Sequence, residues 1–187
     1  MSPAETLPRV RLATPAALKA AGHGLRAQTP ADRPFLEALY ISVRTPELEP
    51  LEWPESAKRA FLTDQFRLQD LHYQQHYRES EFAILVRHGQ PIGRLYLFRG
   101  AEDFRIVDIS LKPEARNGGV GGQWLRSVMA EAAAAGRSVS IHVEQFNPAQ
   151  TLYRRLGFHE IGESGPYLLM EWREGTGSGP AMEDAAR

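Results

Sequence analysis

Apolar and polar positions recur along the chain in two rhythms, which together predict a mixture of helices and strands. Apolar residues at helical spacing predict helices over 34–43, 56–77, 120–135 and, more briefly, 148–156. Alternating or short apolar runs predict strands over 25–29, 82–87, 91–98, 104–111, 139–143, 158–161 and 167–172. Antiparallel strands come first and a strand–helix–strand unit follows, so the pattern predicts an α/β fold with a mixed sheet.

The two ends of the chain differ from this middle part. Residues 1–22 are rich in Ala, Pro and Gly, and we expect an N-terminal extension with a short strand at 10–12 and a helical turn at 15–21. Residues 23–173 form the predicted domain, and the glycine-rich residues 174–187 form a predicted flexible tail. Three prolines fall within Thr45–Pro54, which predicts a loop there.

Composition narrows the classes of function. The chain has 187 residues, which suits one domain, and its net charge of -1 argues against nucleic acid or an anionic membrane as the main partner. It has no cysteine, which excludes disulfides, a cysteine-based zinc site and a cysteine nucleophile. No apolar run approaches the ~20 residues that span a bilayer, and the start lacks the apolar core of a signal peptide. We therefore expect a cytoplasmic protein.

A glycine-rich loop separates the strand over 104–111 from the helix over 120–135. It reads Lys-Pro-Glu-Ala-Arg-Asn-Gly-Gly-Val-Gly-Gly over 112–122. Successive N–H groups of such a loop can point into one concavity at the positive end of the helix, which suits a pyrophosphate. A P-loop would end in Gly-Lys-Ser/Thr, and a dinucleotide fingerprint would need glycine where Trp124 stands. The alternative is a flexible turn that binds nothing.

A second motif, Asn147-Pro-Ala-Gln-Thr-Leu-Tyr153-Arg-Arg-Leu-Gly-Phe158, follows the strand over 139–143. Together with Arg116-x-x-Gly119-x-Gly121 it resembles the GNAT N-acetyltransferase superfamily over roughly 25–172. The resemblance implies a mixed, mostly antiparallel twisted sheet whose central strands, 104–111 and 139–143, splay apart, with helices on its flanks. It also implies transfer of an acetyl group from acetyl-CoA to a primary amine, by direct attack in a ternary complex. A non-catalytic acyl-CoA-binding regulatory module, or a purely structural domain, is the alternative.

The same resemblance assigns roles to particular residues. The backbone of Ile109, Ser110 and Leu111 would pair with the pantetheine arm of the coenzyme. The pyrophosphate would be held by the N–H groups of Asn117, Gly118, Gly119, Val120, Gly121 and Gly122. Arg116 would contact phosphate, Asn147 the pantetheine arm, and Tyr153 would lie near the sulfur as a general acid. Each side chain also has a plainer reading, as an exposed arginine, a helix cap and a packed ring.

The base and the acceptor are less defined. His142 and Glu144 share one face of their strand, and Asp108 and Ser110 share a face of the neighbouring strand. Histidine suits the role of base, and attack through water without a dedicated base stays open.

The acceptor is expected to be a small-molecule or peptide amine, held near the Thr45–Pro54 loop with its carboxylates Glu47, Glu49 and Glu52. No metal is expected, because His72 and His76 lack a third ligand in the sequence. A homodimer is compatible with the resembling family.

Overall fold

The computed structural model describes residues 10–175, so residues 1–9 and most of the predicted tail lie outside the described part. The described helices are α1 (Ala16–Ala20), α2 (Arg33–Leu48), α3 (Glu55–His76), α4 (Val120–Ala134) and α5 (Ala149–Arg155). The strands are β1 (His23–Ala27), β2 (Glu81–Arg87), β3 (Gln90–Arg99), β4 (Asp103–Leu111), β5 (Ser138–Glu144), β6 (His159–Ser164) and β7 (Tyr167–Trp172). Each predicted helix and strand from residue 23 onward is present, with its bounds shifted by a few residues.

The strands form one seven-stranded sheet in the order β1-β2-β3-β4-β5-β7-β6. Neighbouring strands are antiparallel except β4 and β5, which are parallel and are connected through α4. This arrangement confirms the predicted mixed, mostly antiparallel sheet flanked by helices.

The central strands β4 and β5 part from each other along their length. They pair only from Asp103 opposite Ser138 to Ile106 opposite Ile141, although β4 continues to Leu111 and β5 to Glu144. A bulge in the β3–β4 pairing marks the same level, because Tyr96 faces Asp108 and Leu97 faces Ile106. A bulge bends its strand and increases the local twist. The predicted splay is thus present, and it opens at the carboxyl ends of both strands.

The two faces of the sheet carry different layers. On one face a large apolar core, centred on the fully buried Trp124 of α4, joins α4 and α5 to the strands. On the other face α2 and α3 pack over a smaller apolar cluster of Leu36, Phe66 and Ile84. Adjacent residues of a strand point to opposite faces, and Leu85 accordingly lies in the large core while Ile84 lies under α2 and α3.

Two expectations for local structure were wrong. Helix α2 continues through Thr45 and Pro46 to Leu48, so the loop is confined to residues 49–54. Pro46 lies in the last turn of α2, where its missing N–H removes one intrahelical hydrogen bond and the helix ends two residues later.

Residues 10–12 form no strand. Instead, the carboxylate of Glu81 accepts the N–H groups of Arg11 and Leu12 at 2.7 and 3.4 Å. Among the described residues, no helix is both long and apolar enough to cross a membrane.

Candidate functional site

The glycine-rich loop forms the end of the splay on the β4 side. After β4 the chain makes a short turn at Pro113–Ala115, and α4 begins at Val120. Asn117 and Gly119 adopt positive φ angles of 62° and 74°, a region that glycine enters without strain and asparagine tolerates. A Cβ atom built on Gly118 or Gly119 would meet nothing within 4 Å, so the loop is open to a ligand.

The first turn of α4 presents unused backbone donors to this loop. The N–H of Gln123 donates to the carbonyl of Gly119 at 3.1 Å. The N–H groups before Gln123 in the helix have no intrahelical acceptor, as at every helix start. They lie at the positive end of a 15-residue helix, where an anion is stabilised. The loop therefore has the donors and the space that a pyrophosphate requires.

Arg116 folds back on the strand that precedes it. Its Nε donates to the carbonyl of Leu111 at 2.9 Å, while the side chain stays exposed. One donor is thus used within the loop, and the remaining guanidinium N–H groups are directed to solvent or ligand.

The edge of β4 that faces the splay carries free backbone positions. Ile109, Ser110 and Leu111 pair with β3 through Leu95, Arg94 and Gly93 on their other side. Toward β5 the pairing has already ended at Ile106. An extended ligand arm can therefore pair with this edge as an additional strand would.

Tyr153 lies beneath the splay on α5. Its side chain is buried, and its ring packs against Phe158 with centroids 5.8 Å apart. Burial raises the pKa of the Tyr153 hydroxyl, and the negative charge of Asp108 raises it further. The phenol is therefore protonated throughout the neutral range and is able to donate a proton. The ring of Tyr153 is thus packed in the core, and its hydroxyl group still carries a proton.

His142 and Glu144 lie on the opposite face of β5, as their spacing predicts, but in different settings. Glu144 forms an ion pair with Arg44 of α2, with Oε1 2.6 Å from Nη2 and Oε2 2.9 Å from Nη1. His142 is exposed at the surface of the strand. Partial burial by its neighbours lowers the pKa of His142, and the positive charge of Arg105 lowers it further. Glu144 is thus held by an ion pair, whereas the imidazole of His142 is open to a ligand.

Asn147 caps the helix that carries Tyr153. Its Oδ1 accepts the N–H of Ala149 at 2.9 Å, and its carbonyl accepts the N–H of Gln150 at 3.1 Å. The side-chain NH₂ group is not needed for this cap. Capping and a contact to a ligand arm are therefore compatible.

A buried polar cluster around Asp108 was largely missed by sequence reasoning. The carboxylate of Asp108 accepts hydrogen bonds from Arg94 at 2.7 Å, Tyr73 at 3.0 Å and Ser110 at 2.8 Å. Arg94 is 3% exposed and also donates to Gln69 of α3 at 2.7 Å. The available signal was a single arginine inside the apolar strand of residues 91–98, since a buried charge requires a partner.

Helix α2 lies across the splay, because it contacts the chain at the ends of both β4 and β5. Near its start, the Phe35 ring lies 5.4 Å from the ammonium of Lys112, the residue after β4. Near its end, Arg44 holds Glu144 at the end of β5. A separate cleft of about 310 Å³ lies between α2 and the first turns of α3, lined by Ile41, Thr45, Glu55, Ser56, Lys58, Arg59 and Leu62.

The fold and this site together define a class of protein in which two central strands part beside an open glycine loop at a helix start. A sequence model of the acetyltransferase (GNAT) domain matches residues 78–160, which include β4, the loop, β5 and α5. Residues 78–160 therefore match the GNAT superfamily. This match supports acetyl transfer as the general chemistry. No curated protein matches the sequence.

Solved acetyltransferase structures share the fold. The PaiA N-acetyltransferase of Thermoplasma acidophilum, in complex with coenzyme A, is 16% identical with a TM-score of 0.62, over 81% of this chain and 98% of that one. An acetyltransferase of Thermus thermophilus is 25% identical with a TM-score of 0.57, over 81% and 96%. RimL, a ribosomal L7/L12 alpha-N-protein acetyltransferase, is 19% identical with a TM-score of 0.55, over 80% and 88%.

Proposed function

We propose that the protein transfers an acetyl group from acetyl-CoA to a primary amine by direct attack in a ternary complex. The observation that carries the proposal is the parting of β4 and β5 beside an open glycine loop at the start of α4. The coenzyme A complex of the PaiA relative is consistent with a coenzyme in this position.

The coenzyme lies along the β4 side of the splay in this proposal. Its pyrophosphate accepts hydrogen bonds from the N–H groups of residues 117–122, and Arg116 adds positive charge. Its pantetheine arm pairs with the backbone of 109–111 and accepts a hydrogen bond from the side-chain amide of Asn147. This places the thioester between the two faces of the sheet, with Tyr153 on one face and His142 on the other.

The acceptor approaches from the α2 and α3 side. That side carries the cleft between α2 and α3, at the Thr45 region from which an acceptor pocket was expected. Glu47 contributes less to a cationic acceptor than its sequence position indicates, because Arg44 neutralises it at 2.8 Å. Glu49 and Glu52 remain acidic groups in the loop that follows α2. A small amine and a peptide N-terminus both fit this arrangement, and RimL by its name acts on an α-amino group of a protein.

Two proton transfers accompany the reaction. An alkylammonium has a pKa of ~10.4 and must lose a proton before its nitrogen attacks the thioester carbonyl. His142, with its lowered pKa, is neutral and accepts this proton directly or through water. As the tetrahedral intermediate collapses, the C–S bond breaks and Tyr153 donates its proton to the departing thiolate. Glu144 acts here as a positioning residue that fixes α2 through Arg44, and not as the base.

Release of the coenzyme A thiol tests this proposal. The protein is incubated with acetyl-CoA and a panel of small amines and short peptides, and thiol release is compared with mass spectra of the acceptors. We expect release that depends on the amine, with an equal amount of acetylated acceptor. Binding of acetyl-CoA without amine-dependent release across the panel would instead support the non-catalytic acyl-CoA-binding module.

A further inference from the structure

The outer face of α3 carries exposed apolar side chains. Eight large apolar residues are exposed in the described part of the chain, and five of them lie on α3 or in the loop before it: Leu51, Trp53, Phe61, Leu68 and Leu71. Trp53 packs edge-on against Phe61 with ring centroids 5.6 Å apart, so the apolar surface continues from the loop onto the helix. Such residues need no explanation when they are scattered singly, whereas a contiguous set marks an interaction surface.

Helix α3 is thus apolar on two sides. Its inner side buries Leu62 and Phe66 against the rest of the fold. On the outer side, Phe61 is 40% exposed, Leu68 50% and Leu71 46%. A helix whose apolar residues are not confined to one stripe is typical of an element that is covered on both sides. Within the described part of the chain, α3 is covered on the inner side alone.

The spacing along the outer side is that of a coiled-coil stripe. Exposed residues follow one another at alternating intervals of four and three positions, namely Ala57, Phe61, Asp64, Leu68, Leu71 and Gln75. This seven-residue repeat allows two helices to pack together along their whole length, with the side chains of one fitting between those of the other. With 22 residues, α3 is long enough for three such repeats.

The stripe is nearly symmetric about position 66. Phe61 and Leu71 lie five positions before and after it. Asp64 and Leu68 lie two positions before and after it. A symmetric dimer brings the same surface of two copies together, so that residue i contacts j and j contacts i. In an antiparallel pair of α3 helices centred at position 66, Phe61 of each copy therefore faces Leu71 of the other.

The charges on the stripe select the antiparallel direction. Asp64 is the one charged residue of the stripe, and its contact with Arg67 in the same helix is long, at 3.7 Å, between two exposed side chains. A parallel pair would set Asp64 against Asp64 of the second copy, and like charges repel. The antiparallel pair instead places Asp64 beside Leu68 and Arg67 of the second copy. The two aspartates and two arginines around the axis then balance in charge.

We propose that the outer face of α3 is the interface of a symmetric homodimer, in which α3 packs antiparallel against α3 of a second copy, centred near residue 66. Trp53 extends the interface into the loop before the helix. The interface lies on the side of α3 that faces away from Phe66 and the sheet. The inference is therefore independent of the proposed function.

Sedimentation equilibrium over a range of protein concentrations tests the interface. We expect the unmodified protein to show a monomer–dimer equilibrium. Leu68→Glu places a carboxylate beside Asp64 of the second copy, and it should raise the dissociation constant of the dimer at least about a hundredfold, because symmetry repeats the change. Ile161→Glu is the matched control, since Ile161 is 49% exposed but lies on β6. It should leave the dissociation constant unchanged.

Asp64→Leu tests the register in the opposite direction. It replaces the charge of the stripe with an apolar side chain that faces Leu68 of the second copy. We expect the dissociation constant of the dimer to fall about tenfold, because an apolar residue at such a position favours pairing over a polar one. A simple loss of surface charge at a non-contacting position would leave it unchanged.

Disulfide trapping tests the direction of the helices, and the chain has no cysteine that would interfere. Phe61→Cys and Leu71→Cys proteins, mixed and oxidised in air, should cross-link to each other. Neither should cross-link to itself, because two copies of position 61 lie about 15 Å apart along an antiparallel pair, and a disulfide needs Cα atoms within about 7 Å.

A protein that stays monomeric at every concentration overturns the inference. A dimer that Leu68→Glu leaves intact, or that Ile161→Glu weakens equally, also overturns it, because the interface then lies elsewhere. Failure of Asp64→Leu to tighten the dimer, or self-linking of Phe61→Cys, refutes the antiparallel register. Amine-dependent thiol release is measured separately, so the proposed function stands or fails without regard to these results.

Discussion

In the proposed mechanism Tyr153 meets two requirements, since its ring belongs to the apolar core and its hydroxyl is the proposed proton donor. Burial raises the pKa of the hydroxyl, so that the phenol holds its proton at the pH at which an amine is acetylated. Core packing also fixes the side chain, which keeps a donor in place without a further hydrogen bond.

Tyr153→Phe removes only the hydroxyl and preserves the packing against Phe158. We expect kcat to fall about a hundredfold, at the low end for general acid catalysis, because a thiolate is a fair leaving group by itself. The dissociation constant of acetyl-CoA should change little. Steady-state kinetics together with calorimetry measure both quantities, and an unchanged kcat would remove the acid role.

In the proposed mechanism His142 is the group that makes the rate depend on pH. A base must be unprotonated, so kcat/KM should rise with pH through the pKa of His142, and the lowered pKa places this limb below the ordinary value of ~6.5. In His142→Gln the limb should disappear. The titration of the acceptor produces a similar limb, so two amines of different pKa are compared. If the midpoint of this limb shifts with the pKa of the amine and is the same in His142→Gln, His142 is not the base.

At the scale of single residues, the sequence was informative where a motif covers local backbone. The loop of 112–122 and the cap at Asn147 depend on neighbours within a few positions, and both lie where the motif predicts. The partners of Glu144 and Asp108 could not be predicted in this way. Arg44 is 100 positions from Glu144, and Tyr73 is 35 positions from Asp108. Such contacts depend on how α2 and α3 cross the sheet.

Among the elements, α2 connects the two halves of the splay. It contacts the residue after β4 through Phe35 and the end of β5 through Arg44. Arg44 lies in the part of α2 that extends beyond the predicted end at residue 43. Three prolines predicted a loop from Thr45 onward, but a proline in the last turn removes a single backbone hydrogen bond, and the ion pair of Arg44 favours the longer helix.

Arg44→Gln and Glu144→Gln separate a positioning role from a catalytic one. If the pair fixes α2, both variants should raise the KM of the amine similarly, retain kcat and leave acetyl-CoA affinity unchanged. The double variant should show a coupling free energy of about 1 kcal/mol in stability, since the pair is partly exposed. Glu47→Gln is the control, because Glu47 also pairs with Arg44 but does not reach β5. Loss of kcat in Glu144→Gln alone would identify Glu144 as the base.

The cluster beneath α3 links β3, β4 and α3 through the buried pair of Arg94 and Asp108. Arg94→Met should lower the free energy of unfolding by about 3 kcal/mol, because it leaves a buried carboxylate without its counter-charge. Arg94→Met combined with Asp108→Leu should recover most of this loss. Arg33→Met, which breaks the half-exposed pair with Asp70, should cost less than about 1 kcal/mol. Chemical denaturation measures all three, and equal losses for Arg33→Met and Arg94→Met would contradict this account of the cluster.

Over the whole molecule, the two faces of the sheet differ in how they are packed and in their proposed roles. The face with α4 and α5 has the large apolar core and positions the loop, Asn147 and Tyr153. The face with α2 and α3 has a small apolar cluster and a cleft at which we propose that the acceptor binds. The sequence predicted the architecture because helical and strand rhythms are local properties. The contact of residues 11–15 with Glu81 and α4 was not predicted, since it joins positions far apart in the chain.

The most direct test of the central claim is calorimetric titration of acetyl-CoA into the unmodified protein and two variants of Gly121. A Cβ at Gly121 would meet only Leu111 Cδ1, at 3.6 Å, so Gly121→Ala fits without strain and should bind as the unmodified protein does. Gly121→Glu places a carboxylate where the pyrophosphate is proposed to lie, and it should abolish binding. The variant should also lose the ~2.7 kcal/mol by which acetyl-CoA, at about 100 times its Kd, stabilises the unmodified protein against unfolding. A folded Gly121→Glu protein with unchanged acetyl-CoA affinity would contradict the assignment of the loop.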